Sequence, residues 1–209
     1  MLEQERLDEL WDFDDPALSE SRFRAELDAD GRWDSIERAE LVTQLARSIG
    51  LQGRFDEAAA LLIDLDAEAN PVVVVRVLLE SGRVMNGSGH PDSALGLFRQ
   101  AAELAARAHA EFLRIDALHM AAIVDADGAA DWTTLAVELA EASDNDRTKR
   151  WLISLHSNYG WLLLEAEDLD TALAEFIEAA RWADAVGTNQ QRQWAQEAIE
   201  ECRAAIAAQ

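Results

Sequence analysis

The sequence predicts an all-α chain, an α-solenoid of antiparallel helix pairs with capping helices at both ends. Three observations carry that expectation. Strong helix formers (Ala, Leu, Glu, Arg) fill the stretches between prolines at 16, 71 and 91. Each proline stands where a helix can begin, since its missing N–H falls among the donors a first turn leaves open anyway. The segment GRFDEAAALL at 53–62 returns in altered form as GHPDSALGLF at 89–98 and EDLDTALAEF at 167–176. β-branched runs are nearly absent, VVVV at 72–75 being the exception.

Residues 1–31 read as an N-terminal cap. A short helix carries Leu2, Leu7, Leu10 and Trp11, and a second follows with Asp15 as N-cap, Pro16 in its first turn and Gly31 as its stop. Residues 32–187 then hold four helix pairs, over approximately 32–69, 70–108, 109–145 and 146–187. Gly187 stops the last pair, and 188–209 form a C-terminal capping helix. Its apolar face is predicted as Trp194, Ala198, Ile199 and Cys202, with Gln and Glu elsewhere, as a terminal unit without a neighbour requires. No linker or low-complexity tract divides the chain, so a single domain is expected.

Aligning the copies on a central small residue gives Ala58, Ala94, Thr133 and Ala172, at intervals of 36, 39 and 39 residues. Twelve residues earlier stand Ala46, Gly82, Ala121 and Gly160, small enough for the central residue of the next helix to approach closely. Five before the anchor come Gly53, Gly89, Gly128 and Glu167; the glycines are expected to end the first helix in left-handed geometry. Asp56, Asp92, Asp131 and Asp170 follow, near the positive start of the second helix. Leu62, Phe98, Val137 and Phe176 lie one turn beyond the anchor on its face and fill the core. Seven past the anchor stand Leu65, Ala101, Ala140 and Ala179.

Over residues 39–187 this pattern resembles the tetratricopeptide repeat, a unit of about 34 residues. LARSIGLQGRFDEAAALL, ESGRVMNGSGHPDSALGLFRQA and NYGWLLLEAEDLDTALAEFIEAA carry the resemblance, and MAAIVDADGAADWTTLAVELA is the copy lacking the central alanine. The longer intervals require extended connections. The resemblance implies a stand-alone array whose first helices line a concave, partner-binding face. On the matching positions that face carries Arg47, Arg76, Leu79, Arg83 and Asn86 in the first two pairs, and Ile115, Leu118, Ala122, Ser154, Ser157, Trp161 and Leu164 in the last two. Arg47, Arg76, Leu79, Arg83, Asn86, Leu118 and Trp161 are the predicted contact residues. Arginines at one end and apolar side chains at the other suit a peptide that is acidic and then bulky, because the guanidinium fork pairs with carboxylates. The other reading has the arginines paired with the chain's own acids, Glu40 and Glu80, and the apolar stretch covered from within by the N-terminal Leu-Trp helix. The array lacks the lysine and paired asparagines of the family's carboxylate-clamp subclass.

A net charge of −23 repels phosphate backbones and anionic bilayers, so neither nucleic acid nor membrane is an expected partner. It favours solubility and draws cationic partners. The start, MLEQERLDEL, is not a secretory signal, and a cytoplasmic location is expected. Cys202 is the single cysteine, so no intramolecular disulfide forms. Lys149 is the single lysine among 18 basic residues, which reads as the codon bias of a GC-rich bacterium.

No catalytic constellation is found. Asp12, Asp14 and Asp15 precede a proline and read as a helix cap rather than a calcium loop. NGSGHP at 86–91 lacks the Lys-Ser/Thr of a phosphate loop, and its Asn86-Gly87-Ser88 acceptor is moot without secretion. Asp116 and His119 are too few ligands for a metal, and His156 does not face Ser154 or Ser157. The expectation is a non-catalytic scaffold with no metal and no cofactor, binding a protein or peptide. The alternatives are a self-associating structural subunit, as a homodimer, and a ligand-responsive peptide sensor.

Overall fold

The computed structural model describes residue 2 and residues 4–29, 31–65 and 70–208. The predicted spans 1–31, 32–69 and 188–209 each include positions outside the described residues. The regular secondary structure of the described residues is all helical, with no strand among them. The helices fall into two compact units, Met1–Leu113 and Arg114–Gln209.

The first unit opens with α1 (Gln4–Leu10), a helix too short to persist alone in water. Leu7 and Leu10 anchor it in the core with Phe23 of α2 (Pro16–Asp28), Leu41, Leu45 and Ile49 of α3 (Ser35–Gly50), and Ala58 and Leu62 of α4 (Phe55–Ile63). Asp15 caps α2 by accepting from the Leu18 N–H, as predicted. Asp34 and Glu37 form a reciprocal capping box that starts α3. Asn70 caps α5 (Pro71–Gly87), which packs on α3, α4 and α6 (Pro91–Arg107). Pro16, Pro71 and Pro91 each begin a helix. The valines at 72–75 belong to α5, Val73 and Val75 being buried.

Helix α7 (Glu111–Val124) runs from the end of the first unit into the second. The second unit continues with α8 (Ala129–Ala142), the single turn α9 (Asp146–Lys149), α10 (Trp151–Glu165), α11 (Leu169–Val186) and α12 (Asn189–Ala207). Its core joins Ile153 to Ala172, Phe176, Ala180 and Ala183, and these to Ala195, Ala198, Ile199 and Cys202 of α12. Trp194 departs from the predicted cap face: it is 54% exposed. Ala195 takes its place, because Ala195, Ala198, Ile199 and Cys202 form the inward stripe and Trp194 sits about 100° to one side of it.

Two details of the repeat differ from expectation. In the two copies with glycine in the first helix, that glycine makes room for the aromatic ring four past the anchor. A Cβ on Gly82 would lie 2.8 Å from Phe98 Cδ1, and one on Gly160 would lie 2.7 Å from Phe176 Cε1. The second concerns the turns. Gly53 and Gly89 take left-handed backbone, φ 77° and 87°, and so does Glu167 at φ 63°. In each, the following N–H returns to a carbonyl of the preceding helix: Arg54 to Ile49, His90 to Met85 and Asp168 to Leu163. Gly128 is instead right-handed at φ −96°. It is needed for space, since a Cβ there would lie 2.6 Å from Asp125 Oδ2, and that oxygen accepts from Trp132 Nε1 at 2.9 Å.

Candidate functional site

The arginines predicted to receive an acidic peptide are occupied by their own chain. Arg76, 8% exposed, has its Nε 3.4 Å from Glu40 Oε1, and its Nη2 donates to Gln4 Oε1 of α1. The Leu2 N–H donates to the other Glu40 oxygen at 2.7 Å. Arg83 Nη1 donates to Glu80 Oε1 at 2.6 Å, one turn back on α5. Arg47 lies over the rings of Trp11 and Phe13, 5.6 and 5.5 Å from their centroids. Trp11 and Phe13 stack on each other, and Trp11 Nε1 donates to Gln44 Oε1. The segment after α1 therefore supplies the planar faces, and α1 the amide, that the guanidinium groups meet. Carboxylates and rings of the same chain thus lie against the arginines, the arrangement that the other reading of these positions describes. Leu79 is 1% and Leu118 2% exposed, and both pack inward; Asn86 is half-buried near the end of α5.

The second unit holds an open cleft of about 290 Å³ between α7, α8 and α10. Helix α10 contributes Leu155, Asn158, Tyr159, Trp161, Leu162 and Glu165. Asn158, Trp161, Leu162 and Glu165 follow the i, i+3, i+4, i+7 spacing of one helix face. Helix α7 contributes His119, Ala122 and Ile123, and α8 contributes Ala129 and Thr133. The Trp161 ring is fixed edge-to-face on Phe176, with centroids 5.0 Å apart. His119 is held by the Asn158 amide nitrogen, 3.2 Å from its Nε2, and by the Trp151 ring at 5.3 Å.

Among the predicted contact residues Trp161 lines this cleft, and Ala122 from the wider set joins it. Ser154, Ser157 and Leu164 do not; Leu164 packs against the core of the unit. The cleft-facing stripe of α10 is thus rotated about one residue, or 100°, from the predicted one. His119, Asn158, Tyr159 and Glu165 went unpredicted as cleft residues. The available signal was the helical spacing of Leu155 and Leu162 with Asn158 and Glu165, a stripe one residue on from the positions that the repeat alignment selected.

No group of three or more His, Cys, Asp or Glu side chains suited to a metal occurs among the described residues. No helix there is long and apolar enough to cross a membrane. Burial, then the Asp170 charge, pushes the Cys202 thiol upward, and its Sγ points at the Leu169 carbonyl oxygen.

Paired helices joined by left-handed turns and packed glycine against aromatic ring define a TPR-like helical repeat protein. Solved structures agree on the fold. The chain is similar to the apo form of RapI, at 17% identity and a TM-score of 0.59 over 92% of this chain and 77% of that one. It is similar to BtubC from P. vanneervenii, at 17% identity and a TM-score of 0.54 over 95% and 94%. An array of nearly identical TPR-like repeats of kinesin light chain type from Podospora anserina shares 22% identity at a TM-score of 0.42, over 90% and 85%. The first two carry the agreement, and at such identities it concerns the fold alone. No protein-family model matches the chain, and no curated protein matches its sequence.

Proposed function

We propose that the chain is a non-catalytic interaction scaffold that takes a peptide or an extended partner segment in the cleft between α7, α8 and α10. The carrying observation is the cleft itself. It is open, lined largely by apolar and aromatic side chains, and edged by Ile123, which stands 48% exposed. A cleft with a few polar groups among apolar walls is the usual form of a binding site. The TPR-like fold supports the reading, because repeat arrays present extended surfaces to partners. Of the predicted contact residues, this reading uses Trp161 and does not call on the arginines of the first unit, which have partners within the chain. The reading places the protein among soluble, cytoplasmic proteins with protein partners.

Selection of displayed peptides on the full-length protein tests this, with amide-shift mapping of the winners. The expected result is perturbation centred on α7, α8 and α10, and loss of binding in Ile123→Arg at an unchanged melting temperature. Recovery of no binding peptide, or of peptides indifferent to Ile123→Arg and mapping elsewhere, would refute the reading.

A further inference from the structure

We infer that the occupant of this cleft is an arginine side chain presented by a partner peptide; the inference rests on the scaffold reading above and specifies its ligand. The argument begins with where the helices end. Ile123 is the penultimate residue of α7 and Glu165 the last of α10, and both line the cleft. Two helix C-termini, each the negative end of its macrodipole, therefore open on the same space. Glu165 adds a full carboxylate there, exposed to solvent. Helix α8 starts at the cleft with Ala129 and brings a positive end, which Asp131 in its first turn offsets.

The lining residues include no arginine or lysine. His119 is paired with the Asn158 amide across the cleft wall, 3.2 Å between Nε2 and the amide nitrogen. The cleft thus favours positive charge at its mouth while its walls are aromatic and aliphatic. Trp161 and Tyr159 line it with aromatic rings, and Leu162 adds an aliphatic contact for a hydrocarbon stem. Arginine matches all three features: a planar cation that stacks, a fork that a carboxylate accepts bidentately, and a three-carbon stem. A carboxylate ligand meets the opposite field, and a purely aliphatic one leaves Glu165 without a use. The overall acid excess draws such a peptide from a distance.

The test uses three degenerate peptide pools, identical except for a central Arg, Leu or Glu, passed over immobilised full-length protein and quantified by mass spectrometry. The expected retention of the Arg pool exceeds that of the Leu pool by about tenfold. In Glu165→Gln, an exposed position that leaves the fold intact, the preference falls to about parity. Retention of the Leu pool equal to the Arg pool, or an Arg preference unmoved by Glu165→Gln, would overturn the arginine assignment and leave the scaffold reading standing. Retention of no pool would remove both.

Discussion

At the scale of single residues, the repeat is held by a volume exchange between two helices. Where the first helix carries glycine, at 82 and 160, the second carries Phe98 and Phe176; where it carries alanine, at 46 and 121, the second carries Leu62 and Val137. Both phenylalanines are fully buried, so their rings have nowhere to move. Alanine normally gains about 1 kcal/mol over glycine inside a helix. At Gly82 the ring forbids it, and the overpacking term of about 1–3 kcal/mol wins. Gly82→Ala therefore lowers stability in chemical denaturation. Combining it with Phe98→Leu, which rebuilds the Ala46–Leu62 combination, returns about 1–2 kcal/mol relative to the sum of the single changes. The sequence showed both positions through their fixed spacing. It did not show that they meet, because spacing along the chain is silent on which of two nearby small and large residues fills a given gap. Cys202 makes a second test at this scale. Burial raises its thiol, and the thiolate is the reactive form, so a thiol reagent modifies it on the timescale of unfolding and not before.

Elements are joined by turns and ion pairs, and here sequence reading succeeded unevenly. Glycine at 53 and 89 announced left-handed turns, and both are found. Glu167 shows that the third such turn is imposed by the packing of α10 on α11 against the preference of its residue. Glu167→Gly therefore stabilises the protein by about 1 kcal/mol, read as a higher midpoint in urea. Gly128 showed the reverse: the same residue type at the same position serves clearance rather than a positive φ, a distinction composition does not hold. Pairing of the arginines with Glu40 and Glu80 was legible as one of two alternatives, but the contact of α1 with Arg76 was not, since it joins residues 72 positions apart, Gln4 and Arg76. Glu20 ties α2 to the turn before α4. Burial opposes its charge, but hydrogen bonds from Gln52, Arg24 and Arg54 outweigh that and hold its carboxyl below the ordinary range. With the folded value lowered, its stabilisation is complete above the unfolded value near 4.3 and disappears as pH falls through the folded one. Glu20→Gln accordingly costs about 1 kcal/mol at neutral pH, with the exposure of both arginines keeping the figure small. The difference between wild type and variant closes in acid.

For the whole molecule the governing quantity is charge. Each unit has its own buried cluster, and each carries more acids than bases, within a total of 41 acidic against 18 basic residues. Salt acts on two opposed terms. It weakens ion pairs such as Arg24–Glu57 and Arg181–Glu178, which are exposed and worth well under about 1 kcal/mol each. It also screens the mutual repulsion of the surplus acids, which acts between many charges at separations comparable to the Debye length of about 10 Å at 0.1 M salt. Every base can answer at most a fraction of the acids around it, so repulsion is the larger sum in the folded state, and the unfolded chain relieves it by expanding. The melting temperature therefore rises as sodium chloride is added from low ionic strength, until screening is complete. The Arg-centred peptides lose retention over the same range, because the field that attracts them is the one being screened. A melting temperature that falls on adding salt would mean that the internal ion pairs, the Arg76–Glu40 and Arg83–Glu80 contacts among them, outweigh the surplus charge. Replacing Arg83 with methionine would then separate the two terms: an ion-pair-dominated fold loses its salt sensitivity in the variant, and a repulsion-dominated one keeps it.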